Sequence, residues 1–279
     1  MIKQILFPFD FSQQGTQAAA SVRALATKFG ASVTMLSVVA QGLQTVLAGN
    51  EAEVTTRQRA LRARLDQAAL MPELAGVPTT RLTDEGDPGT CIVDAAHRYG
   101  ADLIMMPTHG VGLFRELMVG STTAKVLHDA HCPVWTAAHV EQQMATGLPR
   151  RILCAVADVP EGRGLLRWAA AFSEKVGASL EVLHVVSLVP DWPTPGSERA
   201  LGENLREELR ARLESVLKAE KIRVPLRVAV GDVVPQVTEC AREQRADLVI
   251  IGRGHATTGR MRTHVHGIIQ SSACPVVSV

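Results

Sequence analysis

The chain has 279 residues, enough for one large domain or two of about 140. Hydrophobic residues make up 46%, charged residues 20% and aromatics only 4%, so a packed core rich in Ala and Val is expected and disorder is not. The formal net charge of +1 argues against a strongly basic nucleic-acid footprint. Five cysteines, none in a C-x-x-C pair, exclude a disulfide framework or zinc knuckle and fit a reducing cytoplasm. No signal-like stretch follows Met1, and no apolar run approaches the roughly 20 residues of a membrane span.

In chain order, a first strand is predicted over residues 2–8. A helix follows over 13–29, with Ala18, Val22, Leu25, Ala26 and Phe29 on one face and Gly30 as its terminator. A strand over 32–39 and a polar, solvated helix over 51–70 come next. A strand over 78–84 then precedes a helix from 89. The continuous apolar run 102–106 reads as a strand covered on both faces. A helix over 121–130 leads to a fifth strand from Pro133. Residues 139–149 lack periodicity and read as a linker.

The pattern then repeats. Ile5-Leu6-Phe7 is matched by Ile152-Leu153-Cys154, and Gly30-Ala31-Ser32 by Gly177-Ala178-Ser179. Gly86-Asp87 is matched by Gly231-Asp232, Ala101-Asp102-Leu103 by Ala246-Asp247-Leu248, and Cys132-Pro133-Val134 by Cys274-Pro275-Val276. Matched blocks in one order indicate duplication. The domains are therefore expected at 1–138 and 150–279, with 139–149 between them. Alternating strands and helices predict an α/β fold, two tandem doubly wound five-stranded, mainly parallel sheets. Ligands on such sheets bind at the carboxyl ends of the strands, near the switch in strand order.

The loop after the fourth strand runs from Met106-Pro107-Thr108-His109-Gly110 to Gly120-Ser121-Thr122-Thr123. Gly110 allows close backbone approach, and the second glycine with its three hydroxyl residues opens a helix. Taken singly, Ser121 also reads as a plain N-cap and Gly110 as a turn residue. The spacing between Gly110 and Gly120-Ser121, nine residues, together with Ile5-Leu6-Phe7-Pro8-Phe9-Asp10-Phe11-Ser12 and Cys132-Pro133-Val134, resembles the universal stress protein family, whose signature is G-x-x-G, nine residues, G-[S/T]. The resemblance spans both halves and implies the Rossmann-like fold of adenine nucleotide alpha hydrolases.

It further implies ATP, with or without Mg²⁺, in domain 1. Pro8, Phe9 and Asp10 would lie against the base, flanked by Val38 or Val39. Met106, Thr108, His109 and Gly110 would meet ribose and phosphates, and Gly120, Ser121, Thr122 and Thr123 the phosphates. Pro107 departs from the signature: it stands where the first glycine belongs and offers no N–H. Domain 2 departs further. His255 replaces the second glycine of Gly252-Arg253-Gly254-His255, the interval is three residues shorter, Arg262-Thr263 replaces Gly-Ser, and Ala157 matches Asp10. No nucleotide is expected there. The two copies would form an intramolecular pseudo-dimer, and a homodimer of chains is the further expectation.

Other constellations carry less. His264-x-His266 points two ways on a helix and is not expected to hold a metal. Neither a G-x-S-x-G elbow nor a P-loop lysine motif occurs. Cys132 and Cys274 read as small buried residues. Residues 197–219 read as a helix with a solvated Glu/Arg face, after an exposed-looking turn at Trp192. The leading expectation is a cytoplasmic, ATP-binding, regulatory stress-response protein without a catalytic group. The alternatives are a nucleotide-free scaffold acting by protein contacts, and a slow ATPase using His109 or Asp10 to position water.

Overall fold

The computed structural model describes residues 2–40, 51–68, 71–107, 119–137, 147–157, 162–187, 197–253 and 261–279. The chain divides into two compact units, Met1–Leu148 and Pro149–Val279.

Unit 1 runs β1 (Gln4–Pro8), α1 (Gln13–Phe29), β2 (Ser32–Ala40), α2 (Glu51–Ala68), a 3₁₀ turn (Pro72–Leu74), β3 (Thr79–Gly86), α3 (Pro88–Arg98), β4 (Leu103–Pro107), α4 (Ser121–Asp129) and β5 (Val134–Ala137). Its strands lie in the order β3-β2-β1-β4-β5, and the pairs β1–β2, β2–β3, β1–β4 and β4–β5 are all parallel. Right-handed crossovers in opposite directions place α1 and α2 on one face and α3 and α4 on the other. Accordingly α1 packs on the 3₁₀ turn and α3 on α4.

Unit 2 repeats the plan with β6 (Arg151–Val156), α5 (Gly162–Val176), β7 (Ser179–Val186), α6 (Ser197–Ala219), β8 (Leu226–Val230), α7 (Val233–Glu243), β9 (Leu248–Ile251), α8 (Met261–Ser271) and β10 (Val276–Ser278). Its order is β10-β9-β6-β7-β8, again parallel throughout.

The cores follow from the patterning. Leu103, Ile104, Met105 and Met106 of β4 are all buried, as are Leu248, Val249, Ile250 and Ile251 of β9. On α1 the buried stripe is Ala18, Ala19, Val22, Leu25 and Ala26, with Phe29 at its half-buried edge. Gly30 closes the helix at φ 65, the left-handed conformation expected of a terminating glycine. The polar reading of α6 holds on its exposed side, where Arg210 and Glu214 pair, while Leu213, Val216 and Leu217 are buried.

Strand β4 begins one residue later than 102 because Asp102 has a different task. Its Oδ2 accepts the backbone N–H groups of Lys3 and Gln4 at 2.7 and 3.0 Å, while its own N–H donates to the Gln4 carbonyl. Asp247 does the same for Arg150 and Arg151. Each copy thus ties the entry of its first strand to that of its fourth by one carboxylate. At the other end, Pro107 completes β4, a terminal position that tolerates a missing donor.

The helix pairs that close each unit carry a reciprocal exchange. Gly89 on α3 and Val234 on α7 both stand three residues after the glycine of the repeated Gly-Asp pair. Lys125 on α4 and Gly267 on α8 both stand seven residues before the Cys-Pro pair. A Cβ on Gly89 would lie 2.9–3.1 Å from three carbons of Lys125. A Cβ on Gly267 would lie 2.8 Å from a Val234 methyl. Each helix pair needs one small and one larger residue at this crossing, and the copies place them on opposite partners. Gly267→Ala is expected to destabilise the protein by about 1–3 kcal/mol through overpacking. In a Val234→Ala background the same change is expected to stabilise by up to about 1 kcal/mol, since Ala is the better helix former. Urea unfolding of the four variants of this cycle reads the reversal of sign.

Candidate functional site

In unit 1 the strand order reverses between β1 and β4, which opens a crevice at their carboxyl ends. The register Ile5↔Leu103 and Leu6↔Ile104 carries Pro8 and Met106 to the same level. Beyond Pro8 the backbone continues beside β2, with the Phe9 N–H donating to the Leu36 carbonyl at 2.8 Å. Asp10 Oδ1 then accepts the Ser12 N–H at 3.0 Å, and Ser12 Oγ, the N-cap of α1, accepts the Gly15 N–H at 3.0 Å. No described residue hydrogen-bonds Oδ2 of the half-buried Asp10, so an acceptor remains for a ligand donor.

Phe9 is 4% exposed, and its ring stacks at a tilt on Phe7 beneath the first turn of α1. This proximity depends on Gly15, where a Cβ would stand 3.2 Å from the Phe9 ring and 3.3 Å from Asp10 Oδ1. Gly162 occupies the same place in unit 2, ten residues after Ile152 as Gly15 is after Ile5. There a Cβ would collide with the side chain of Val156. The two glycines let a helix start close over the end of the first strand in both copies. Their matched spacing is the signal that sequence reasoning missed.

Val38 and Val39 lie half-buried near the end of β2, paired with Asp84 and Glu85 of β3. Met106 is buried in β4. Thr108, His109 and Gly110 lie outside the described residues. At the far side of the loop, Gly120 forms the N-cap of α4 with φ −60 and ψ 151, with no side-chain cap and no acidic residue in the first turn. Ser121 is exposed, Thr122 half-buried and Thr123 buried. The structure thus brings Pro8, Asp10 and Met106 to the crevice. It packs the Phe9 ring inward, leaving its backbone beside the site.

The rim at the end of β3 is acidic. Asp84 Oδ1 accepts the Glu85 N–H, and Glu85 accepts from Gln58 of α2 at 3.1 Å. Cys91 sits behind Gly86 with its thiol pushed up, chiefly by burial and further by Asp84, Asp87 and Asp94. Burial also raises Cys154 to about 12 and Cys274 to about 11, so these thiols are protonated packing residues at neutral pH.

Unit 2 fills the equivalent crevice differently. Ala157 is exposed where unit 1 has Asp10. Leu165 of α5 reaches to 3.6 Å from where a Cβ on Gly252 would stand. His184, seven residues after Gly177 as Ser37 is after Gly30, is buried and bonds through Nδ1 to the Val156 carbonyl at 2.9 Å. Gly254, His255 and Arg260 lie outside the described residues, as does Trp192. Arg262 and Thr263 fall within α8. His264 and His266 are half-buried on α8, and no cluster of three metal-binding side chains occurs among the described residues. None of the described helices is long and apolar enough to cross a membrane.

A parallel sheet with its crevice at the reversal point, followed by a glycine-opened helix, defines a Rossmann-like α/β class. The model of the universal stress protein family matches residues 1–137 and again 149–279, so the chain belongs to that family as a tandem of two copies. It is similar to a universal stress protein of Synechocystis sp., 33% identical over 134 residues that make up 48% of this chain and 84% of the relative. A universal stress protein of Thermus aquaticus is 35% identical over 135 residues, 48% of this chain and 97% of the relative. Among solved structures, a universal stress protein from Archaeoglobus fulgidus aligns over 99% of this chain and 95% of its own, with TM-score 0.66 and 20% identity. A putative universal stress protein from Pseudomonas aeruginosa aligns over 100% and 93%, with TM-score 0.69 and 16% identity. At these identities the solved structures speak for the fold alone.

The rim also sets a pH dependence that separates the copies. Asp87 caps α3, and the Thr90 backbone N–H, then its hydroxyl, hold the carboxyl below its ordinary 3.8. Burial opposes this and Lys125 assists it. Because the folded value lies below the unfolded one, the stabilisation is complete above about pH 4 and fades as pH falls through the folded value. Asp232, the matching N-cap of α7, makes no side-chain cap bond. Asp87→Ala is expected to lose stability at neutral pH and to converge on the parent protein in acid. Asp232→Ala should track the parent throughout. Urea titrations from about pH 3 to pH 7 read both curves.

Proposed function

We propose that unit 1 binds an adenine nucleotide, ATP with or without Mg²⁺, and that the protein acts through this binding as a regulator in a stress response rather than as an enzyme. The observation that carries the reading is the opening of α4. Gly120 has no side chain with which to cap the helix, the first turn contains no acidic residue, and Ser121, Thr122 and Thr123 follow directly. A helix opened by glycine favours an anion through its N-terminal end and its dipole. Asp10 supports the same reading from the other side of the crevice, since its Oδ2, bonded by no described residue, suits a base amine or a ribose hydroxyl. Pro8, Val38, Val39 and Met106 supply apolar surface around it, and Thr108, His109 and Gly110 are assigned to the ribose and phosphates.

Unit 2 is assigned a structural role without nucleotide. Ala157 has no carboxylate to offer, and Leu165 and Val156 occupy space near the equivalent strand ends. A second reading, a nucleotide-free scaffold working by protein contacts, draws on Pro107, which withholds one backbone donor from the loop.

Calorimetric titration with ATP and Mg²⁺ separates the two. The nucleotide reading expects one site per chain. It also expects Gly120→Glu to weaken binding at least about tenfold, roughly 1.4 kcal/mol, because a carboxylate would stand where the phosphates are placed. Absence of binding at millimolar nucleotide supports the scaffold, and binding indifferent to Gly120→Glu overturns the placement of the phosphates at α4.

A further inference from the structure

Phe11 adopts φ 62, a conformation that bulky side chains rarely take. Among the described residues only Lys221 and Arg245 share a positive φ without being glycine. Both of those end helices. Their N–H groups return to Lys218 and Arg242, and the next N–H groups return to Leu217 and Ala241. That is an ordinary left-handed helix ending. Phe11 instead stands before a helix, between Asp10 and the N-cap Ser12.

Two contacts hold it there. Its ring meets Phe9 edge-on, with centroids 5.0 Å apart. The guanidinium of Arg64, from α2, lies over the ring face at 4.2 Å from the centroid. Arg64 pairs with no carboxylate among the described residues, whereas Arg62 on the same helix joins Asp66 and donates to the Arg81 carbonyl. The Arg64 charge is therefore directed to the aromatic face.

We propose that Arg64 is a positioning residue for the unit 1 site: acting through Phe11, it locks the left-handed turn that presents the carboxylate of Asp10. The ligand part of this proposal rests on the nucleotide reading; the lock itself does not. With the cation in place, the Phe11 ring is held from both Phe9 and α2. The turn then keeps the Ser12 N–H on Asp10 Oδ1, which leaves Oδ2 aimed for a ligand. Without the cation, the α2 contact that opposes relaxation of Phe11 toward negative φ is lost. The Ser12 N–H then leaves Oδ1, and the carboxylate samples several rotamers.

Amide exchange without nucleotide tests the lock. In Arg64→Leu the Ser12 and Gly15 amides are expected to exchange about two- to fivefold faster, the factor an exposed cation–π contact supplies, with the amides of β1 and β2 unchanged. Arg64→Lys should stay near the parent, because an ammonium also binds an aromatic face. In a Phe11→Gly background, where positive φ is free, Arg64→Leu should move neither amide. Titration with Mg²⁺-ATP then tests the consequence. Arg64→Leu should weaken binding by a similar factor, and by nothing further in an Asp10→Asn background. Unchanged Ser12 and Gly15 amides, a uniform acceleration across the sheet, or losses that add with Asp10→Asn would overturn the proposal. If the amides respond as expected while the parent protein binds no nucleotide, the lock stands and the nucleotide reading falls.

Discussion

The Asp102 carboxylate settles where the ends of β1 and β4 come to lie. Parallel neighbours have no hairpin to set their register, and a slip by one residue would turn every side chain to the other face. Asp102 removes that freedom by binding two consecutive N–H groups at the start of β1 while its own N–H bonds back. With the entry of both strands pinned, Pro8, four residues after Gln4, and Met106, four residues after Asp102, come out level at the crevice. Asp247 imposes the same constraint on β6 and β9. The site geometry is in this sense decided at the opposite edge of the sheet.

From that common frame the two copies diverge at the crevice as well as at the helix crossings. Both keep a glycine where the first helix closes over the first strand. In unit 1 the space so gained brings Phe9 and Asp10 under the helix, and in unit 2 it admits the side chain of Val156. The buried position that holds Ser37 in β2 holds His184 in β7, tied to a strand carbonyl. Asp10, Asp84 and Glu85 lie around the ends of the first three strands of unit 1, where unit 2 has Val156 and Leu165 near its strand ends.

The architecture was largely legible because its signals are local. Continuous apolar runs marked β4 and β9, helical spacing marked the buried stripe of α1, and Gly30 marked its end. The duplication was visible as matched blocks. What escaped depends on residues far apart in the chain. Asp102 read as the first residue of a strand, since its partners lie about a hundred positions away. The exchange between Gly89 and Lys125 needs two helices placed side by side before either residue has meaning. In the candidate site, spacing singles out Gly120 and the hydroxyl residues and the family resemblance singles out Asp10, yet neither reveals the inward packing of the Phe9 ring, because a residue's facing depends on what covers it. Arg64 lay in a helix that reads as merely solvated, and only the fold sets it over Phe11.

The opposite placement of small and large residues at the two helix crossings has an evolutionary consequence. Tandem copies of one gene segment tend to be homogenised by gene conversion, which overwrites a stretch of one copy with the other. A tract covering α3 but not α4 would set Val beside Lys125, and one covering α4 but not α3 would set Gly beside Gly89. The first product is overfilled and the second is hollow. Conversion that begins or ends between these helices would therefore leave a mismatched crossing whichever helix it covered.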